Sequence, residues 1–144
     1  MQRTVLSEKY NYIIYDGVCV FCNYWVNWLI KRDRKDVFRF IPLQSKLGQS
    51  LLSERNIASD KVQSIVYIQI ERAYFLKSDA ILNLLSELTP WKYFVVILKI
   101  FPSLIRDFVY DLIATNRYKI FGRYQKCEIP SPAIRQKFLL EDLD

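Results

Sequence analysis

Apolar and polar positions follow two different rhythms along this chain. Tyr12-Ile13-Ile14-Tyr15 is a brief aromatic and β-branched run stopped by Asp16-Gly17, which predicts a buried strand. Beyond it Phe21, Trp25, Trp28 and Leu29 recur at helical spacing. Lys31, Arg32, Arg34 and Lys35 gather at the far end, where positive charge complements the carbonyl end of a helix. The spacing predicts a helix of about four turns. Val37 to Ile41 predicts a second strand ended by Pro42, and Ser45 offers an N-cap for a short helix through Leu51 and Leu52. Val62 to Ile70 is strongly β-branched and Glu71-Arg72 separates it from Ala73 to Leu76, which predicts two strands joined by a tight turn. Ser78-Asp79 supplies a cap and a first-turn acid for a helix that buries Ile81, Leu82, Leu84, Leu85 and Leu88 and ends at Pro90. The fold class is therefore α/β, in the order β-α-β-α-β-β-α.

From Trp91 onward the pattern is helical: an apolar segment to Phe101, a break at Pro102, then Leu104, Phe108, Leu112 and Thr115 at helical spacing. About fifty residues is at the small limit for an independent core, so these helices are expected to pack on the sheet unit and bury Trp91, Phe94 and Phe108. The expected organisation is a single domain over residues 1–144, with the sheet unit at about 10–89 and a helical extension at about 90–144. A hydrophobic content of 51% is enough for a core at this length, and 3 Gly with 5 Pro leave no room for low-complexity linkers.

Charge narrows the partners. The net charge of +6 permits an acidic partner but falls short of a nucleic-acid binder's signature, so no nucleic acid is expected. The basic residues Arg117, Lys119, Arg123, Lys126, Arg135 and Lys137 concentrate on the extension, and peripheral contact with an anionic membrane surface stays open. The most apolar stretch, Trp91 to Ala114, is interrupted by Lys92, Lys99, Pro102, Arg106, Asp107 and Asp111, so no transmembrane segment is expected. Glu8 and Lys9 precede any apolar run and no small-residue cleavage pattern follows, which makes the cytoplasm the expected location.

The absence of His removes imidazole-based acid/base catalysis, triads that need imidazole and zinc sites of mixed Cys/His type. The 3 Cys then become the most capable side chains, and their odd number argues against a secreted disulfide framework. Cys19 and Cys22 form a C-x-x-C between the first strand and the first turn of the following helix. Unpaired N–H groups and the dipole at a helix N-terminus stabilise a thiolate, so Cys19 is the expected nucleophile. Cys22, one turn on, lies on the same helix face and is the expected resolving thiol. Val20 and Phe21 bring no charge, so a moderate pKa depression and a reducing couple are expected. Asp16 either tunes the pair, as proton acceptor for Cys22 or as a charge that raises the thiol pKa, or serves as an Asp-Gly turn former.

The segment Asp16-Gly17-Val18-Cys19-Val20-Phe21-Cys22 resembles the D-G-x-C-x-x-C motif of the DCC family of predicted thiol-disulfide oxidoreductases, named for its Asp and two Cys. Further matches are Pro42-Leu43-Gln44-Ser45, Ser78-Asp79-Ala80, Pro102 with Arg106-Asp107 and Tyr110, Asn116-Arg117-Tyr118, Gly122, and Cys127 followed by Ile129-Pro130. The resemblance implies a thioredoxin-like fold and a protein-disulfide reductase activity without a tightly bound cofactor. Its substrates would be a disulfide-containing protein or a small-molecule thiol, with electrons from an external reductant or thiol pool. Such folds usually place a cis-Pro before the third strand, opposite the cysteines. Here the stretch is Lys61-Val62-Gln63-Ser64-Ile65, so Gln63 or Ser64 takes that place, with a trans bond expected. Gln63, Ser64, Ser78 and Asp79 are the substrate-groove candidates, and the Ser64 hydroxyl could serve a cysteine sulfur or a substrate. Cys127 is either a third redox thiol or a buried small hydrophobe.

Two other classes remain. The first is a non-catalytic interaction module on the same scaffold, docking through its aromatic C-terminal helices. The second is a metal or cluster module using Cys19, Cys22 and Cys127, although structural zinc needs four ligands and the chain offers three cysteines and no His.

Overall fold

A computed structural model describes residues 9–57, 65–69, 73–88, 91–123 and 137–138. In chain order these form β1 (Asn11–Tyr15), α1 (Val20–Arg32), β2 (Phe38–Pro42), α2 (Lys46–Glu54), β3 (Ile65–Gln69), β4 (Ala73–Leu76), α3 (Lys77–Ser86), α4 (Trp91–Leu98) and α5 (Ser103–Phe121). The strands make one sheet in the order β2-β1-β3-β4. β1 runs parallel to β2, with Ile13 opposite Phe40, and antiparallel to β3, with Ile14 opposite Val66. This is the mixed α/β, thioredoxin-like arrangement that the element order implies, with helices added at its C-terminal end.

Side chains along a strand point alternately to its two faces, and β1 divides accordingly. Ile13 and Tyr15 join Phe38, Phe40 and Tyr67 beneath α1, α3 and α4, while Tyr12 and Ile14 join Ile41, Val66 and Ile68 against Leu51 and Leu52 of α2. The sheet is thus covered on both faces, which explains why its strands read as continuous apolar runs. Ser45 caps α2 as expected, its Oγ accepting the Gly48 N–H at 3.0 Å. At the chain's far end Phe138 packs edge-on to Tyr15 and bridges Phe40.

Four expectations change. The face that α1 buries is Cys22, Val26 and Leu29, whereas Trp25 is 40% exposed. The aromatic spacing therefore marks the flank of the helix rather than its core side. Ser78 does not cap α3. The strand runs straight into the helix through Lys77, whose φ of 53° turns the chain in the left-handed region, so the cap position falls on Leu76, which makes no side-chain cap bond. Ile81 is at the surface, while Leu82, Leu84, Leu85 and Leu88 are buried. Trp91 packs against the core, but Phe94 and Phe108 are 46% and 69% exposed, because α4 and α5 turn that side to solvent.

Candidate functional site

Cys19 is the N-cap of α1, with extended backbone (φ −82°, ψ 121°), and its Sγ accepts the Cys22 N–H at 3.3 Å. The helix terminus thus directs an otherwise unpaired backbone donor at the sulfur. The Cys22 thiol also hydrogen-bonds the Cys19 sulfur, and this bond is the largest influence on the pair. It favours Cys19 as thiolate, against the opposing effect of burial. The Cys22 N–H and the Arg117 charge add to it, and the Cys19 pKa comes down to about 7. Cys22, as the donor in that bond and buried, is raised well above an ordinary thiol. The two cysteines are not joined in a disulfide, and Cys19 is the one of the pair that ionises first.

A fixed charge network lies beneath the pair. Asp16 is 2% exposed. Its Oδ1 accepts the Val18 N–H at 3.2 Å and the Gln44 amide at 2.7 Å, while its Oδ2 accepts Arg117 at 2.9 Å and the Tyr118 hydroxyl. Burial pushes the carboxyl pKa up, but the bonds from Tyr118, Arg117, Gln44 and Val18 outweigh it and hold Asp16 ionised below its ordinary value. The same network pushes Tyr118 up to about 12, through burial first and then its bond to Asp16. Gln44 accepts the Gly17 N–H at 2.9 Å, and the Asn23 amide donates to the Gly17 and Cys19 carbonyls, both at 2.8 Å. The loop that presents Cys19 is therefore tied down from three elements.

Among the described residues Asp16 accepts hydrogen bonds from Val18, Gln44, Arg117 and Tyr118, the first of these closing the turn before α1. Its charge raises the pKa of both thiols, and Arg117 lowers both.

Access to the two sulfurs differs. Cys19 is wholly buried, and the chain leaving α5 runs beside it: Cys19 bridges Arg123, and the Val20 N–H reaches the Gly122 carbonyl at 3.4 Å. Cys22 reaches a cavity of about 220 Å³ whose walls include Phe21, Trp25, Tyr110, Ile113 and Arg117, and whose lining is almost wholly apolar. Arg117 is buried with its Nε unpartnered among the described residues.

Of the expected site residues, Asp16, Cys19 and Cys22 come together. Ser78 and Asp79 do not join them: the Ser78 hydroxyl donates to Asp107 and Asp79 pairs with Arg106 at 3.3 Å, so both tie α3 to α5. Gln63, Ser64 and Cys127 lie outside the described residues, and with them the peptide geometry before β3 and the role of the third thiol. The Tyr110 hydroxyl accepts the Ile65 N–H at 3.2 Å, which fixes the start of β3 from α5. Arg117, Tyr118, Gln44 and Asn23 are the members that residue spacing did not single out. One signal existed: Tyr110, Ala114 and Arg117 fall on one face of α5, and a cation on a helix face that packs inward requires a buried acid.

Comparison with known proteins gives the family. Residues 13–123 match the DCC1-like thiol-disulfide oxidoreductase family. The chain is 41% identical to the Bacillus subtilis protein YuxK over 128 residues, covering 88% of this chain and 92% of that one. It is 36% identical over 124 residues to a DCC family protein of Arabidopsis thaliana named as chloroplastic, covering 85% of this chain and 72% of that one. No solved structure matches the chain closely enough to count. The chain belongs to the DCC1-like thiol-disulfide oxidoreductase family.

Proposed function

We propose, from this membership and the site geometry, that the chain is a disulfide reductase that works through a Cys19–Cys22 dithiol. The observation that carries the reading is the place of Cys19 Sγ at the N-terminus of α1, where it accepts the Cys22 N–H at 3.3 Å, and the Cys19 pKa comes down to about 7 there. The Cys19 thiolate attacks one sulfur of a substrate disulfide, forming a mixed disulfide and expelling a thiolate that takes up a proton. Cys22 then loses its proton and attacks Cys19 Sγ. The second substrate thiolate leaves and is protonated, so the substrate gains two electrons and the enzyme holds a Cys19–Cys22 disulfide. A dithiol or thiol pool returns it to the reduced state, and we place the reaction in the cytoplasm, where such pools exist.

Asp16 acts as a positioning residue that shapes the Cys19 loop and balances Arg117. The apolar cavity beside Cys22 suits an apolar group flanking the substrate disulfide. Because Cys19 has no exposed surface, the protein must open locally before a substrate sulfur meets it, and we infer that the Gly122–Arg123 segment bridged to Cys19 is the cover that moves.

The test is a Cys22→Ser variant, which removes the resolving thiol and should accumulate mixed disulfides at Cys19 with a model disulfide. A wild-type protein whose Cys19 fails to react with iodoacetamide between pH 6 and 9, under native conditions, would sink the proposal. One observation favours a second reading. Full burial of Cys19 fits a non-catalytic interaction module that keeps its thiols for packing, and that module would bind its partner unchanged after Cys19→Ala and Cys22→Ala.

A further inference from the structure

The side chains of α5 meet two environments. Tyr110, Ala114 and Arg117 face inward toward α1 and α3. On the opposite side Leu104, Ile105, Phe108, Val109 and Leu112 are exposed by 83%, 54%, 69%, 48% and 56%. α4 continues the surface with Val96 and Ile97, and the turn between the helices adds Ile100 and Phe101, all more than half exposed. Scattered apolar residues on a surface need no explanation, but a contiguous set of this extent marks a contact.

We propose that the outer face of α4 and α5 docks onto an anionic lipid surface, turn first, without crossing it. The distribution of charge selects that occupant. Both carboxylates of α5 have partners on α3: Asp107 accepts the Ser78 hydroxyl and Asp111, at the flank of the helix, pairs with Lys77 at 3.0 Å. Arg106 and Arg117 are held by Asp79 and Asp16. Lys92, Lys99 and Lys119 are exposed and have no carboxylate partner among the described residues. The face therefore combines apolar side chains and free cations with no unpaired acid, which is the composition of an interfacial helix.

Position agrees with composition. The apolar residues centre on the α4–α5 turn, whereas Lys92 lies in the first turn of α4 and Lys119 at the far end of α5. The turn enters the acyl boundary while those cations stay among the lipid phosphates, and Lys99, near the turn, has a stem long enough to reach them. No helix among the described residues is long and apolar enough to span the bilayer. A second copy seated on the same face would bring cations against their own image, since a two-fold contact pairs identical patches.

The experiment sediments the full chain with vesicles of phosphatidylcholine alone and of phosphatidylcholine mixed with phosphatidylglycerol. The expected result is binding to the mixed vesicles that falls steeply with added salt, and weak binding to phosphatidylcholine. Leu104→Asp with Phe108→Asp should abolish binding. Lys92→Gln, Lys99→Gln and Lys119→Gln together should weaken it on the order of a hundred-fold at low salt. The pH profile of Cys19 alkylation should stay unchanged in both variants, which shows that they fold. Equal binding to the two vesicle types, or binding to neither, overturns the proposal. So does a solution dimer that Leu104→Asp with Phe108→Asp dissociates, which would assign the face to a second copy.

Discussion

The two sides of α5 obey opposite rules. On the inner side Asp16 and Arg117 are buried and paired at 2.9 Å, and the Tyr118 hydroxyl and the Gln44 amide complete the network. On the outer side the cations have no carboxylate partner among the described residues, and the apolar residues are exposed. A buried charge must find a partner because the low-dielectric interior penalises it severely, while an exposed lysine is satisfied by water. Substitutions on the inner side should therefore reach stability and thiol chemistry together. Those on the outer side should reach only what the face touches.

The largest effect should come from breaking the buried pair. Arg117→Met leaves Asp16 without its counter-charge and should cost about 3–5 kcal/mol in urea unfolding. Asp16→Asn combined with Arg117→Met removes both charges and should recover most of that loss, because no buried ion is orphaned. The same substitutions should move Cys19 in opposite directions. Arg117 lowers its pKa and Asp16 raises it, so the alkylation midpoint should rise above about 7 in Arg117→Met and fall below it in Asp16→Asn. The pH dependence of stability has a definite sign as well. Asp16 is held below its ordinary value, so its contribution is present above the carboxyl range and is lost as pH falls through its folded pKa. Cys19, also depressed, adds stability as pH rises from about 7 toward its unfolded value of 9.0. Equal stability of Arg117→Met and wild type would remove the distinction between the two sides.

How far the sequence disclosed this contrast depends on the interaction involved. The strands of the sheet, the Ser45 cap and the break at Pro102 were legible, because each rests on local chemistry within a few residues. The position of Cys19 at the start of α1 was legible for the same reason. Arg117 and Tyr118 were quoted only as part of a family motif, with no link to Asp16, since their bonds to it join residues about a hundred positions apart and only the fold brings them together. The face of α4 and α5 was misjudged in an instructive way. Apolar residues at helical spacing usually mean burial, and Phe108 and Leu112 have that spacing without it. Periodicity reports that a helix has an apolar side, but not what covers that side. Likewise, placing Cys19 at a helix N-terminus was enough to expect a stabilised thiolate, but not to expect its full burial or the bridge to Arg123.

The inferred cover at Gly122 and Arg123 supplies the next prediction. Gly122 sits at φ 95° and ψ 175°, a region that only glycine occupies without strain. Gly122→Ala should cost about 1–3 kcal/mol, or shift the backbone and loosen its contact with Val20. Because that contact belongs to the cover inferred for Cys19, alkylation of that thiol should accelerate while its pH midpoint stays near 7. An unchanged rate would show that the cover does not control access.

Smaller effects separate a local cap from the surface. Ser45→Ala removes the acceptor for the Gly48 N–H and should cost about 1 kcal/mol, far from either side of α5 and without effect on the thiols. The smallest effect is the most discriminating. Leu112→Gln replaces an apolar residue that is 56% exposed, so unfolding should shift by no more than about 0.5 kcal/mol and Cys19 should titrate as before. A core position of the same residue type, Leu51→Ala, should lose about 2–5 kcal/mol, since Leu51 is fully buried against the sheet. If Leu112→Gln behaved like the core variant, the outer side of α5 would have to be covered in solution by the protein itself. The membrane assignment would then fail together with the idea that this helix separates chemistry from contact.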